Sequence, residues 1–428
     1  MQKTNVLIFP CGTEIGLELN AALKFEKSVK LFGASSVRDH GETVFQDYTS
    51  DLPFIDSPAF IAALNAIIHE KNIQFIFPAH DDVLLFLSHN ADRIDAKIIA
   101  PPTETCKICR SKSETYQYFS GHDFVPKTFK KTSEVNTYPV FLKPDQGQGS
   151  QGVVKANNAE ECLQAVKSNP DLIICEYLPG EEFTIDCYTD KLGQLLFVGP
   201  RTRSRTKAGI SVSSKTFTVP ESIKSIAALI NEKLHLQGAW FFQLKQDGNK
   251  ELKLLEIAPR VAGTMAANRV KGINFALLSL FEAQGKSISV TTHSSDIQIE
   301  RALTNRYFTD IRYDTVFIDL DDTLIINGAI CQAALQFIYQ CKHRKISVHL
   351  ITRHYREPSQ TLEELAIHSK IFEAVIWIQD GSSKSDYMLD AKNPIFFDDS
   401  FQERQDAINS GIPSFAPDSI EIFIDWRV

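Results

Sequence analysis

The feature that most constrains this chain is a repeated switch of hydrophobic period, from short apolar runs to helical spacing, in two separate blocks. In the first block Val6-Leu-Ile-Phe9 is bounded by Pro10 and Gly12. Leu19, Leu23 and Phe25 then recur at helical spacing, Val29-Lys-Leu-Phe32 is a second run, 60–68 is helical, and Phe75-Ile-Phe77 is a third run. In the second block 316–320 is strand-like. Ile330, Ala334, Phe337, Ile338 and Cys341 fall at helical spacing, and 348–351 and 395–397 are strand-like again. Short apolar runs alternating with helices predict βαβ units and a parallel sheet. Between the blocks, strands are expected at 138–143, 172–177, 183–188, 195–198, 240–244 and 252–257. Ser111 opens one helix there, and Asn158 with Glu161 three positions on forms a capping box for another. The expected fold class is α/β and α+β multidomain, with boundaries at 1–108, 109–307 and 308–428.

Composition narrows the function classes. The 428 residues suit about three domains. Hydrophobic residues are 43 % and charged residues 23 %, which excludes a disordered, collagen-like or disulfide-scaffold chain. The formal charge is −8, so nothing calls for a nucleic-acid backbone. No apolar run approaches the ~18 residues of a membrane span. The apolar part of 1–10 is too short for a signal peptide and soon meets Glu14. Eight scattered cysteines fit reduced thiols and a cytoplasmic setting. Cys106-x-x-Cys109 lacks the second pair that a zinc site needs, and reads as two incidental thiols. Cys11-Gly-Thr-Glu-Ile-Gly16 lacks the three-glycine dinucleotide fingerprint and reads as a tight strand-to-helix turn.

Four features of the middle region point toward a nucleotide. Leu142-Lys143-Pro144 runs into a loop carrying Gly147, Gly149, Ser150 and Gly152, whose backbone N–H groups can approach phosphate oxygens beside a lysine. A Gly-rich hairpin turn would look the same in isolation. About 30 residues later Glu176-Tyr177-Leu178-Pro-Gly-Glu-Glu182 offers an extended hinge and carboxylates for ribose hydroxyls. Gln243 and Glu256 lie on successive strands and offer the hard oxygens that magnesium prefers. Arg260 follows Glu256 at once in Ala258-Pro-Arg260.

In this order the stretches resemble the ATP-grasp superfamily, in its carbamoyl-phosphate-synthetase-like branch, over about 1–300. The resemblance implies a Rossmann-like pre-ATP-grasp domain, then an ATP-grasp fold with a lid at about 115–180. ATP and Mg2+ are the implied cofactors. Lys112 and Lys143 match the phosphate lysines, with Gly147, Gly149 and Ser150 in the loop. Glu176, Tyr177 and Leu178 match the adenine hinge, and Glu182 the ribose ligand. Gln243 and Glu256 match the magnesium ligands. The family commonly has Asn where this chain has Ala258, so one metal-binding side chain is missing. The implied chemistry is transfer of a γ-phosphoryl group to a carboxylate, followed by amine attack. Among Arg201, Arg203 and Arg205, Arg203 is the favoured clamp for the substrate carboxylate; a solvated basic strand is the alternative. Arg269 is a weaker candidate. The resemblance implies that His80-Asp81-Asp82 can reach substrate, but an acidic helix start is the preferred reading.

The C-terminal block carries a second constellation. Asp319-Leu-Asp321-Asp322-Thr323 follows an apolar strand, where Asp319 can attack a phosphoryl group and Asp321 can protonate the leaving oxygen. An acidic helix cap is the bland alternative. Thr352 ends a later strand, Lys384 offers a cation, and Asp398-Asp399 ends another strand. In that order the residues resemble the haloacid-dehalogenase-like (HAD) phosphohydrolases, over about 310–428. The resemblance implies Asp319 as nucleophile, Asp321 as general acid/base, and Thr352 and Lys384 on the phosphoryl group. Asp319, Asp321, Asp398 and Asp399 would surround magnesium. Lys392 stands nearer Asp398 in sequence than Lys384 does. Only 33 residues separate Asp319 from Thr352, so no cap domain fits between them. The expected function is a carboxylate-amine ligase joined to a magnesium phosphatase. Its partners would be small-molecule carboxylate and amine substrates and a phosphorylated metabolite. A homodimer is compatible, while nucleic acid and membrane are not expected. The alternative is an active phosphatase with a nucleotide-sensing, non-catalytic middle region.

Overall fold

The computed structural model describes residues 3–427 apart from 148, 150 and 208. The chain is mixed α/β and divides into two compact units, Met1–Ala302 and Leu303–Val428. The first unit opens with a parallel sheet in the order Asp47–Thr49, Val29–Ala34, Thr4–Phe9, Phe75–Pro78, Lys97–Ile98. The apolar run Val6–Phe9 is its central strand, with Val6 opposite Leu31 on one side and Phe75 on the other. Both faces of that strand are covered, which is why all four residues are buried. Thr13 caps the helix Glu14–Leu23 by accepting from the Gly16 amide. Gly16 packs on the Cys11 backbone, where a Cβ would meet the Cys11 carbonyl oxygen at 2.3 Å. The two glycines therefore serve the strand-to-helix turn. Phe25 falls past the end of this helix and is 83 % exposed, so it is no part of the apolar stripe.

Two antiparallel sheets follow. One runs Leu195–Thr202, Glu182–Thr189, Gly238–Gln246, Leu252–Ala258. The smaller runs Thr128–Phe129, Leu172–Glu176, Val140–Pro144, Val154–Ala156 and carries the helix Ala159–Ser168. Asn158 accepts from the Glu161 amide at 2.9 Å, while the Glu161 carboxylate reaches back to the Asn157 amide at 2.8 Å. The first parallel sheet and the larger antiparallel sheet share one core, in which Ile8, Ile15 and Leu19 pack with Phe241, Ala258 and Met265. A third small sheet joins Arg205–Lys207, Ile210–Lys215 and Gln298–Glu300. Strand pairing therefore keeps the chain in the first unit as far as Glu300.

The second unit is a parallel sheet in the order Ala374–Trp377, Ser347–Thr352, Thr315–Ile318, Pro394–Phe397, Ser414–Phe415. The helix Gln332–His343 buries Ala334, Phe337, Ile338 and Cys341 against it, as their spacing requires. Its core residues, Val316, Ile318, Phe337, Leu350 and Phe397 among them, all come from this unit. Among the described residues no helix is long and apolar enough to cross a membrane.

Candidate functional site

Two adjoining cavities open in the first unit, of about 320 Å³ and 220 Å³. Both are lined by Lys112, Gly147, Gly149, Arg203, Gln243 and Glu256, so they communicate.

The smaller cavity gathers most of the nucleotide candidates. Ser111 caps the helix that starts at Lys112, and Asp145 fixes that end by accepting from the Ser111 hydroxyl and the Ser113 amide, each at 2.7 Å. Lys112 Nζ donates to the Asp145 carbonyl at 3.2 Å. Lys143 is buried, and its Nζ donates to the Tyr116 hydroxyl at 2.7 Å. Burial pulls the Lys143 pKa below the usual lysine range. Glu176, Tyr177 and Leu178 line the same cavity, with the Glu176 carboxylate turned back onto the Lys127 amide at 2.8 Å. Gln243 stands directly opposite Glu256 in the antiparallel register, and the ladder slips just after this pair. Ser150 lies outside the described residues.

The larger cavity is a nest of ion pairs. Arg260 is held bidentately by Asp81, with Nε–Oδ1 at 2.7 Å and Nη2–Oδ2 at 2.6 Å. Burial pushes the Asp81 carboxyl up, but the guanidinium outweighs it and holds the pKa below the usual range. The acidic helix start at 81–82 is thus also a pair of arginine anchors, since Asp82 takes Arg110 at 2.6 Å. Arg203, the favoured clamp, pairs with Glu182 at 2.6 Å, so these two candidates hold each other. Arg205 is exposed and pairs with Glu300, and Arg269 pairs with Glu18. Arg201 is buried on Asp186. Cys106 and Cys109 also line this cavity, and burial lifts the Cys106 thiol to about 11 and Cys109 well above its ordinary value. Neither thiol is ionised near neutral pH, which suits a lining role.

In the second unit the candidates meet at the C-terminal edge of the parallel strands. Asp319 follows the central strand, and its amide donates to the Phe397 carbonyl at 2.9 Å. Lys384 Nζ bridges Asp319 Oδ1 at 2.5 Å and Asp398 Oδ2 at 2.6 Å. Lys392 instead pairs with Asp314 and its side chain is 79 % exposed. Burial raises the Asp319 carboxyl to about 7, against the pull of Lys384, and raises Asp398 as well. Asp319, Asp398 and Asp399 offer oxygens all within 4.8 Å of one another, the one acidic cluster of this kind among the described residues. Three carboxylates at that spacing fit a hard divalent cation. Asp321 stands apart from that cluster and meets His354 Nδ1 at 2.8 Å. Thr352 is fully buried and accepts from the His354 amide at 3.1 Å.

Sequence reasoning did not single out Arg110 or His354, and it set Asp81 aside as part of an acidic helix start. Asp81 and Arg260 are 179 positions apart, and nothing local links them. His354, two places after the strand-end Thr352, was the one with a local signal.

Comparison with known proteins concerns mainly the first unit. Residues 168–304 match the family model described as ATP-grasp in the biosynthetic pathway with Ter operon. The arginine-specific large chain of carbamoyl phosphate synthase from Halalkalibacterium halodurans is 23 % identical over 259 residues, which is 55 % of this chain and 24 % of that one. D-alanine–D-alanine ligase from Fusobacterium nucleatum is 29 % identical over 116 residues, 26 % of this chain and 40 % of that one. This chain therefore spans less than half the length of either curated relative. Among solved structures, the biotin carboxylase domain of the Hydrogenobacter thermophilus 2-oxoglutarate carboxylase, in complex with MgADP, ADP and bicarbonate, superposes with a TM-score of 0.57. It is 17 % identical and covers 68 % of this chain and 72 % of its own. Sequence matches and fold agree in likening the first unit to ATP-grasp proteins.

Proposed function

We propose that the first unit is an ATP-dependent carboxylate-amine ligase. The observation that carries this reading is Lys143, a buried cation on the smaller cavity with no ion pair among the described residues. A desolvated ammonium of that kind needs an anion, and the glycine loop and Lys112 beside it are suited to phosphates. The residues also fit magnesium bound with a nucleotide, because one carboxylate and one amide oxygen stand side by side at Glu256 and Gln243. When bound, the ion would neutralise phosphate charge. In the reaction a substrate carboxylate oxygen bonds to the γ-phosphorus as the bond to the ADP oxygen breaks. An amine nitrogen then bonds to the acyl carbon, phosphate leaves, and the amine proton goes to solvent. Glu176, Tyr177 and Leu178 would seat the base, and Lys112 and Lys143 would hold the phosphates. Arg260, locked by Asp81, would steady charge near Glu256. The test is ADP release by the purified protein with Mg2+, ATP and a panel of acids and amines. ADP formed only when both acid and amine are present supports the reading. Tight ATP binding without turnover on any pair would favour the nucleotide-sensing reading, which Ala258 in place of the family Asn motivates.

A second activity is favoured by the Lys384 bridge between Asp319 and Asp398. We propose that the second unit is a HAD-like magnesium phosphohydrolase acting on a phosphorylated metabolite. An Asp319 oxygen would bond to phosphorus as the bond to the leaving oxygen breaks, with Asp321 protonating that oxygen, and water would then release phosphate from the aspartyl phosphate. Asp319, Asp398 and Asp399 would hold the ion, and Lys384 and Thr352 would take phosphoryl oxygens. Free phosphate from p-nitrophenyl phosphate, dependent on Mg2+ and lost in Asp319→Asn, is the expected result. Hydrolysis that survives Asp319→Asn would remove this reading. Eight free thiols, seven of them buried, suit a reducing, cytoplasmic setting.

A further inference from the structure

The larger cavity holds unspent charge of both signs. Arg201 is 1 % exposed, and Asp186 takes its Nε at 2.9 Å and one Nη at 3.1 Å. Asn268 donates to the same carboxylate at 2.8 Å. The other guanidinium nitrogen, Nη1, is buried and has no hydrogen-bond partner among the described residues. A buried N–H pair left over on a lining arginine costs free energy unless a ligand accepts from it.

Arg301 is half-buried on the same cavity, and its guanidinium makes no ion pair or hydrogen bond among the described residues. Glu14, at the first turn of the helix after the first strand, lines it too. A Cβ built on Gly263 would stand 2.9 Å from Glu14 Cγ and 3.4 Å from Arg301 Nη2. Both side chains thus lie near this glycine, yet they form no ion pair among the described residues. The neighbouring ion pairs are Arg260 with Asp81 and Arg269 with Glu18, and at longer range Glu14 acts on Arg260 and Arg301 on Glu18.

Two donors with unused N–H groups and one unused carboxylate around a cavity of about 320 Å³ complement one class of small molecule. We infer that the acid activated by the first unit is an α-amino acid bound as its zwitterion. Its carboxylate is received by Arg201 Nη1 and Arg301, and its ammonium by Glu14. This rests on the ligase reading above and adds the substrate class. The cavity that would hold this acid joins the nucleotide cavity at Glu256.

The experiment uses the full chain with ATP, Mg2+ and hydroxylamine as the trapping amine. Hydroxylamine nitrogen displaces phosphate from an acyl phosphate and leaves a hydroxamate. Each α-amino acid is compared with the matching acid that lacks the amino group, such as phenylalanine against 3-phenylpropionate. At least one amino acid should give hydroxamate about 10- to 100-fold faster than its deamino partner, the range expected for hydrogen bonds to charged groups. Glu14→Gln should erase most of that ratio, and Arg301→Gln should raise the KM for the amino acid by about 10-fold or more. ATP affinity should be unchanged in both variants, which also reports that they fold. Equal or better turnover of deamino acids would overturn the inference and leave the ligase standing. So would a ratio untouched by Glu14→Gln. ATP binding with no hydroxamate from any amino acid would overturn it too. Absence of ATP binding would instead overturn the ligase reading, and the inference with it.

Discussion

At the scale of single residues, buried charge is the currency of both sites. Lys143 carries its ammonium in a place where burial lowers its pKa. The unfolded chain therefore holds that proton more tightly than the folded chain, and the cost is full below the folded pKa. It fades as pH rises toward the ordinary lysine value. Lys143→Met should accordingly raise Tm near neutral pH, at about 2–4 °C per kcal/mol relieved. The gain should shrink as pH approaches about 10, and ATP affinity should fall. Calorimetry across pH and nucleotide titration check both halves, and a lower Tm at pH 7 would refute the argument. In the second unit His354 is nearly buried, meets Asp321 through Nδ1 and meets the Thr361 hydroxyl through Nε2 at 2.8 Å. Both ring nitrogens are thus engaged, and the imidazole fixes where the Asp321 carboxyl points. His354→Ala should cost about 100-fold in kcat on an alkyl phosphate, whose leaving oxygen needs a proton. It should cost far less on p-nitrophenyl phosphate, which leaves unaided. Equal losses on both esters would mean that His354 merely supports the fold. The acids Asp319 and Asp398 were legible because each ends an apolar run. The pairing of Asp321 with His354 was not, since it joins two loops 33 positions apart.

At the scale of elements, register and close approach do what composition cannot. Gln243 and Glu256 could be assigned to neighbouring strands from their apolar flanks. That they stand directly opposite depends on the ladder register, which side-chain packing along the whole strand pair sets. The hairpin of Arg205–Lys207 and Ile210–Lys215 turns at Gly209, whose φ is +72°. A Cβ there would stand 2.1 Å from the Gly149 carbonyl carbon. Backbone meets backbone at this point, and Arg203 Nη2 donates to the Gly209 carbonyl at 2.8 Å. The hairpin tip therefore closes on the glycine loop only with a glycine in place. Gly209→Ala should weaken ATP binding by about 1–3 kcal/mol, the usual cost of such strain. Tm should change little, because the tip lies outside the cores. Isothermal titration of ATP against the variant checks this, and unchanged affinity would show that the contact is irrelevant to the nucleotide.

At the scale of the whole molecule, the division at Ala302 and Leu303 separates two cores and two candidate chemistries. The second unit buries Val316, Phe337, Leu350 and Phe397 using its own residues alone. Residues 303–428 expressed alone should therefore unfold cooperatively, with a sharp calorimetric transition; a broad, transition-free melt would contradict that. In the full chain Asp319→Asn should remove phosphate-ester hydrolysis and leave ATP-dependent turnover intact. The sequence by itself determined the parallel sheets, the caps at Ser111 and Asn158, and the strand-end positions of Lys143, Asp319, Thr352 and Asp398. These follow from local periodicity, from chain stiffness and from the need to satisfy backbone groups within a few residues. Only the tertiary structure decided which charges are free to meet a ligand. Arg203 and Arg260 are taken by Glu182 and Asp81, while Arg201 keeps an unspent N–H pair. Ion pairing inside a fold depends on distance in space, and partners up to 251 positions apart leave no mark on the local sequence.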